Sequence, residues 1–263
     1  MLQLQLSEPY LRCELVRAEI QIFTNGKKLF RTLVSNESKR AGTVNSVRLN
    51  HYLSKHAELK ALYDLVENDY STRGLVHHNW NHVLRVLAFS VEIGEAEKAN
   101  MKIVLAGLLL HDVGRLHPEE GQDHHAAGAK IALKNLRRSG FAESEIEEVV
   151  HCVRSHGPRG LEGPRTLEAK VCYDVDVLSC SVGNVGVARV FHFFISEQGF
   201  TIKQMMKVGS GKKGPRRSFY TKAGRKQGLA GYQKAAQFWK ELRKELKKEE
   251  RDVKKVIPNY EGD

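Results

Sequence analysis

The sequence predicts an all-α protein, a helical bundle with a small β-hairpin appendage at its N-terminus. Three observations predict it. From residue 49 onward, apolar side chains recur three and four apart, the period of a helix. Breaks at Gly74, at Gly140 and across the Gly/Pro-rich stretch 157–164 cut that pattern into segments of helix length. Before residue 35 the pattern is different: strand formers dominate, with Asn25-Gly26 between two such stretches.

The elements follow in order. Alternation in the opening LQLQL suits a strand, as do residues 18–24 and 28–34. Asn-Gly between them is a hairpin signal, because both turn residues tolerate positive φ. Residues 35–46 are polar and read as a loop. Leu49, Tyr52, Leu53, His56, Leu59, Leu62, Tyr63 and Val66 then share one helix face. Further helices are expected over residues 79–93, 95–111, 123–138 and 142–155, the last with Ser144 as a cap. Two more cover 167–181 and 185–198. Residues 209–215 read as a linker. A last helix over 221–250 has an apolar face made of Leu229, Tyr232, Ala236, Trp239, Leu242 and Leu246. The organisation expected is a β appendage over 1–48, a helical core over 49–208, and a basic linker and C-terminal helix over 209–263.

Composition narrows the class. The 263 residues suffice for one large domain with a real core. The longest run of apolar residues and glycine, 103–110, is far short of a membrane span. The N-terminus shows no basic segment followed by an apolar one, so no secretory leader is expected. Four cysteines (Cys13, Cys152, Cys172 and Cys180) form no CxxC pair, and they read as reduced thiols of a cytoplasmic protein. The formal charge is +11, and it is concentrated: residues 203–255 hold eighteen Lys and Arg against five Asp and Glu. Such a segment attracts nucleic acid or a phosphorylated small molecule, although a solvated helix face is the commoner outcome.

Several residues carry chemistry. His82 and Arg85 lie three apart near the start of a helix, so they share a face. The run IVLAGLLL is apolar nearly all round and ends in His111-Asp112-Val113-Gly114. A His and an Asp at the buried end of a core helix are costly unless paired or bound to a cation. Gly114 suits a helix stop there. His124 and His125 open a later helix, His156 closes another, and Asp174 and Asp176 sit inside an otherwise apolar helix. Each of these alone is more often a cap or a satisfied structural residue. Together, imidazole nitrogens and carboxylates suit a divalent ion such as Mn, Fe, Zn, Ni or Co, with Mg as a further candidate.

The set resembles the HD superfamily of metal-dependent phosphohydrolases, whose pattern is H…HD…D, over about residues 49–250. HVLRVLAFSVEI is similar to the first motif and implies His82 as a ligand. LAGLLLHDVG is close to the second and implies His111 and Asp112. DHHAAGAKIA resembles a DHxxxGAxIA segment, which puts His124 rather than His125 in the matching place. His156 matches a His that ends the following helix. YDVDVLSCSVGNVGVARVF resembles DADRLDAxGxxGxAR and implies Asp176 as the fourth ligand, with Asp174 as the alternative. Val177 stands where the family usually has Arg or Lys, Ser179 replaces a second Asp, and one extra residue precedes Gly183. These departures bear on substrate contacts.

The resemblance implies a phosphohydrolase acting on a nucleotide phosphate ester or anhydride through a metal-bound water. Asp112 is implied loosely as a helper in deprotonating that water, with His124 and His156 facing the phosphate or a second ion. Arg85 and Arg115 are candidate phosphate clamps, since guanidinium binds phosphate bidentately. Arg159 and Arg165 are weaker ones. GSGKKG at 209–214 lacks the GxxxxGK[ST] spacing of a phosphate loop. The competing readings are a basic nucleic-acid-binding protein, with Tyr220, Tyr232, Phe238 and Trp239 as stacking residues, and a regulatory protein with little turnover. A homo-oligomer is compatible with the sequence.

Overall fold

The computed structural model describes residues 23–24, 27–28, 47–73, 75–117, 123–157, 160–209 and 219–261. The chain divides into two compact units, Met1–Arg40 and Ala41–Asp263. The β appendage expected over 1–48 is not supported. In the first unit only Phe23–Thr24 and Lys27–Lys28 are described, as two-residue strands with Phe23 opposite Lys28 and Thr24 opposite Lys27. Its other expected strands lie outside the described residues.

Every regular element described in the second unit is a helix. Helix α1 covers 47–55 and α2 covers Ala57–Arg73. The apolar periodicity predicts one helix here. His56 interrupts it, yet backbone bonds from His56 N to Tyr52 O (3.2 Å) and from Lys60 N to His56 O (3.0 Å) carry the ladder across the break. Then come α3 (Trp80–Glu97), α4 (Met101–Leu110), a single 3₁₀ turn (Val113–Leu116), α5 (His124–Ser139) and α6 (Glu143–Ser155). They are followed by α7 (Leu167–Ser181), α8 (Gly183–Ser196), α9 (Ile202–Gly209) and α10 (Lys222–Lys254).

Helix α4 is the axis of the bundle. Its residues from Ile103 to Leu110 are almost wholly buried, as an all-round apolar helix must be. Each fully buried Leu or Ile contributes roughly 1.5–3 kcal/mol. Helices α2, α3, α6 and α7 pack around it, and α5 packs against α6. Helix α10 lies on α8 and α7. There a second, smaller apolar cluster forms from Val187, Met205, Met206, Ala235 and Trp239.

Three boundaries differ from expectation. The break expected at Gly94 falls at Lys98, whose φ is 61°, and Asn100 then caps α4 by accepting from Lys102 N. Gly94 stays helical because Met101 packs directly over it, where a Cβ would collide. Helix α6 opens at Glu143 from Ala142, not at Ser144, with the Glu145 carboxylate accepting from Ala142 N at 3.1 Å. Helix α9 had no counterpart in the sequence reading. Among the described residues, no single helix is long and apolar enough to cross a membrane.

Candidate metal centre

Four helix ends and one helix interior bring the candidate residues together. Asn79 caps α3 by accepting from His82 N at 3.2 Å, which seats His82 one turn inside the helix. His111 is the residue on which α4 stops, and Asp112 starts the 3₁₀ turn that sends the chain sideways. Gly114 acts by absence of bulk rather than as a left-handed stop. A Cβ there would collide with the His124 carbonyl and lie 2.6 Å from Gly128 N. Glycine therefore lets the N-terminus of α5, with His124, close onto the turn that holds Asp112. Asp123 caps α5, accepting from His125 N at 2.9 Å. His156 follows the last turn of α6, and Asp176 projects from the middle of α7.

The geometry around Asp112 has two sides. On one, His82 Nε2 and His111 Nε2 face each other at 2.9 Å. Asp112 Oδ2 lies 3.1 Å from His111 Nε2 and 3.4 Å from His82 Nε2, and Asp176 Oδ1 lies 3.9 Å from His82 Nε2. On the other, Asp112 Oδ1 lies 3.7 Å from His124 Nε2 and 3.6 Å from His156 Nε2. Side-chain exposure is 0% for His82, 1% for His111, 4% for Asp112 and 16% for Asp176, so water screens almost none of this. Among the described residues, three sets of ligand atoms cluster within 4.8 Å: His82/His111/Asp112, His82/Asp176/Cys180 and His124/His125/His156.

The donor set fits a cation. His111 Nδ1 donates to the Leu108 carbonyl at 2.7 Å, which leaves Nε2 as the lone-pair nitrogen of the neutral ring. His156 is fixed the same way by the Val153 carbonyl at 2.6 Å. Two imine nitrogens and two carboxylates thus converge where little donates back to them. Burial pushes His82 down to about 4, so it is neutral at pH 7. Burial acts likewise on His111, but the adjacent Asp112 carboxylate outweighs it and the value rises. Asp112 itself, despite its burial, is held well below the carboxylate range by Arg115 and His111. The cluster draws in positive charge, and a divalent ion supplies it as well as a proton does.

The two aspartates of α7 separate cleanly. Asp174 accepts from Tyr220 N (2.8 Å), Thr221 N (2.7 Å) and Thr221 Oγ1 (2.7 Å) at the entrance to α10. It faces away from the histidines. Asp176 faces them, and its one described donor is the Cys180 thiol at 3.5 Å.

The candidate arginines stand in different surroundings. Arg115 is not a free clamp: its Nε donates to Asp112 Oδ1 at 2.6 Å and its Nη2 lies 2.9 Å from His124 Nε2. That neighbour, after burial, helps push His124 down to about 2. Arg85 has a buried Nε with no hydrogen-bond partner among the described residues. Arg165 pairs with Glu162 at the surface. Arg159 lies outside the described residues. Trp239 stacks on Phe191 with ring centroids 5.1 Å apart, and Tyr232 packs on the main core, so half of the proposed base-stacking aromatics serve packing.

Sequence reasoning passed over three participants. His78 Nδ1 donates to Glu197 Oε2 at 2.7 Å, and its Nε2 lies 3.9 Å from Asp112 Oδ2. Cys180 Sγ sits 3.8 Å from His82 Nδ1. The His-His-Asn-Trp-Asn-His string was the only available signal for His78. Glu197 and Cys180 had none.

The HD domain family model matches residues 79–180. The uncharacterized protein YpgQ of Bacillus subtilis is 32% identical over 121 residues, 44% of this chain and 57% of YpgQ. The bifunctional uridylyltransferase/uridylyl-removing enzyme of Ruegeria pomeroyi is 37% identical over 75 residues, 26% of this chain and 8% of that protein. The chain thus spans less than two thirds of the length of these curated relatives. Among solved structures, a predicted HD superfamily hydrolase from an uncultured Thermotogales bacterium is similar with a TM-score of 0.54 at 27% identity, over 75% of this chain and 98% of that one. Bacillus subtilis YpgQ shares the fold, with a TM-score of 0.55 at 23% identity over 72% of this chain and 97% of its own. A second YpgQ structure, with a TM-score of 0.51 and likewise 23% identical over 72% of this chain and 96% of its own, holds ADP.

Proposed function

We propose, from the match of the HD domain family model to residues 79–180, that this chain is a divalent-metal-dependent phosphohydrolase acting on a nucleotide phosphate ester or anhydride. The observation that carries this reading is the buried face-to-face approach of His82 Nε2 and His111 Nε2 at 2.9 Å, with Asp112 Oδ2 within 3.4 Å of both. Two lone pairs and a carboxylate oxygen so close, out of water, repel unless a cation or a proton lies among them.

In this reading His82, His111, Asp112 and Asp176 hold the ion. A divalent ion bound there supplies a lower pKa for a coordinated water and a Lewis acid for a phosphoryl oxygen. The protein's own groups do the rest. Arg115 fixes Asp112 and His124 together through its fork of donors. His124 and His156 face the phosphate or a second ion, while His125 is held by Asp123 Oδ1 and the His156 carbonyl. Arg85, with its Nε unpaired, offers the guanidinium that an outer phosphate oxygen needs. Arg159 is a weaker phosphate contact. Nucleotide as substrate draws its support from YpgQ, which was solved with ADP. Manganese, nickel, cobalt, iron, zinc and magnesium all suit the set.

The test is turnover by purified protein with each metal against nucleotides and simple phosphoesters, beside His111→Ala and Asp112→Ala. Phosphate or pyrophosphate release that needs metal and vanishes in both variants is the expected result. Equal release by all three proteins, or none with any metal, overturns the reading.

A further inference from the structure

His78 and Glu197 both lie outside the span that the HD domain model matches. They meet across 119 residues of sequence. Glu197 stands at the C-terminal end of α8. Its Oε1 accepts from His77 N at 2.7 Å and His78 N at 3.0 Å, and its Oε2 accepts from His78 Nδ1 at 2.7 Å. Three donors point at this carboxylate, so it is ionised. Burial alone would raise its pKa, but the His78 hydrogen bond outweighs that and brings it to about 2.

The consequence falls on the other nitrogen of His78. In the neutral ring, holding the proton on Nδ1 leaves Nε2 with a lone pair. The ring is only 8% exposed, set edge-on against Phe193 at 5.0 Å and against His82 at 5.6 Å, so it has little freedom to turn. Nε2 then points toward Asp112 Oδ2 from 3.9 Å, beyond hydrogen-bond reach. No hydrogen bond from another described residue reaches it. A carboxylate that fixes a histidine whose free nitrogen faces a reaction centre is the arrangement by which proteins aim an acceptor. A carboxylate needed only to anchor the 75–79 segment would be satisfied by the two backbone N–H groups.

We propose that His78 is a further catalytic residue of this centre. Its Nε2 accepts a hydrogen bond from the water that attacks phosphorus, and Glu197 is the positioning residue that sets its tautomer. This rests on the phosphohydrolase reading above. The contribution is orientation of the water: no bond to phosphorus passes through His78.

Two variants test it. In Glu197→Gln the amide oxygen still accepts from the two backbone N–H groups, but the amide N–H₂ now faces Nδ1 and drives the proton to Nε2. In His78→Ala the acceptor is gone. Nitrogen-15 NMR of histidine-labelled protein, with the His78 signal identified by its loss in His78→Ala, should show the Nδ1–H form in the wild type and the Nε2–H form in Glu197→Gln. Bound manganese should stay at the wild-type level in both. Against whichever phosphoester the wild type cleaves, kcat should fall about 100-fold in both, with KM within about 3-fold. Added imidazole should restore part of the loss in His78→Ala alone.

Unchanged kcat with an active wild type, or parallel loss of metal and thermal stability without rescue, would overturn the role of His78 and leave the hydrolase reading standing. An Nε2–H tautomer in the wild type would overturn it without any assay. A wild type that cleaves nothing sinks both.

Discussion

The two aspartates of α7 are two residues apart, both are largely out of water, and they face opposite regions of the molecule. Asp174 looks toward the N-terminus of α10, where two backbone N–H groups and a hydroxyl point at it. Asp176 looks toward His82 and His111, where the neighbouring polar atoms are nearly all acceptors. Burial does not distinguish them. The count of donors does. A carboxylate surrounded by N–H and O–H groups is satisfied as it stands and serves structure. A carboxylate surrounded by lone pairs needs a cation, and that need is what a metal site is made of.

The sharpest way to break this comparison is to exchange the losses. Asp176→Ala should weaken manganese binding about 100-fold or more, as removal of a ligand exceeds the usual effect of its supporting partners. The stability of the metal-free protein should change by less than about 1 kcal/mol, because the one described donor to Asp176 is the Cys180 thiol, so no backbone N–H is orphaned. Asp174→Ala should do the reverse. It orphans two backbone N–H groups at the start of a 33-residue helix, which costs about 2–4 kcal/mol of unfolding free energy, while manganese affinity stays within about 3-fold. Titration calorimetry and urea denaturation of the two variants read both quantities. If each variant lost both metal and stability, the division of α7 into two faces would be wrong.

The same contrast can be sharpened with metal itself. A ligand that binds only the folded state stabilises it by mass action, about 2.7 kcal/mol at a hundred times its Kd. At a manganese concentration chosen that way for the wild type, the wild type and Asp174→Ala should gain the same increment in thermal unfolding. Asp176→Ala should gain well under half of it. An equal gain in all three would mean that manganese binds elsewhere.

His82, His111 and Asp112 were legible because each breaks a strong apolar pattern, and a charged or imidazole group in such a place needs a reason. Asp174 and Asp176 were both visible on those grounds; the family resemblance put Asp176 first, but a physical reason for setting Asp174 aside required knowing where α10 starts in space. Its first turn lies about fifty residues downstream, and Thr221 and Gly224 at that turn carry no mark of an aspartate partner. Gly224 is needed there because a Cβ would collide with Asp174. Gly94 misled for a related reason: a glycine inside a helix reads as a break until the Met101 side chain packed over it is seen. Arg115 was visible through the common association of arginine with phosphate, but its bonds to Asp112 and His124 were not. Glu197 could not be found at all, since nothing near it in the chain hints at the histidines it grips.

The smallest effect concerns acid, and it separates the helix-anchoring regions by sign. Burial, aided by His78 and His82, pushes His77 from 6.5 down to about 4. The unfolded chain therefore takes up that proton first, so its contribution to stability is fully present above about pH 6.5 and fades as the pH falls toward 4. Glu197, held down at about 2 against an ordinary 4.5, contributes above about pH 4.5 and fades from there toward 2. Asp174 runs the other way: burial, working against its three donors, lifts its pKa above 3.8, so the folded state takes that proton more readily and acid costs nothing there. The metal-free protein should therefore lose stability in two stages on acidification. Glu197→Gln should shrink the stage below about pH 4.5, which Glu162, also held at about 2, shares, and leave the one near pH 5–6 in place. Urea midpoints measured at half-unit steps from pH 7 to pH 3 decide it. A single stage, unchanged by Glu197→Gln, would show that Glu197 is not ionised against His78 in the folded protein, and the aim it gives to that ring would lose its cause.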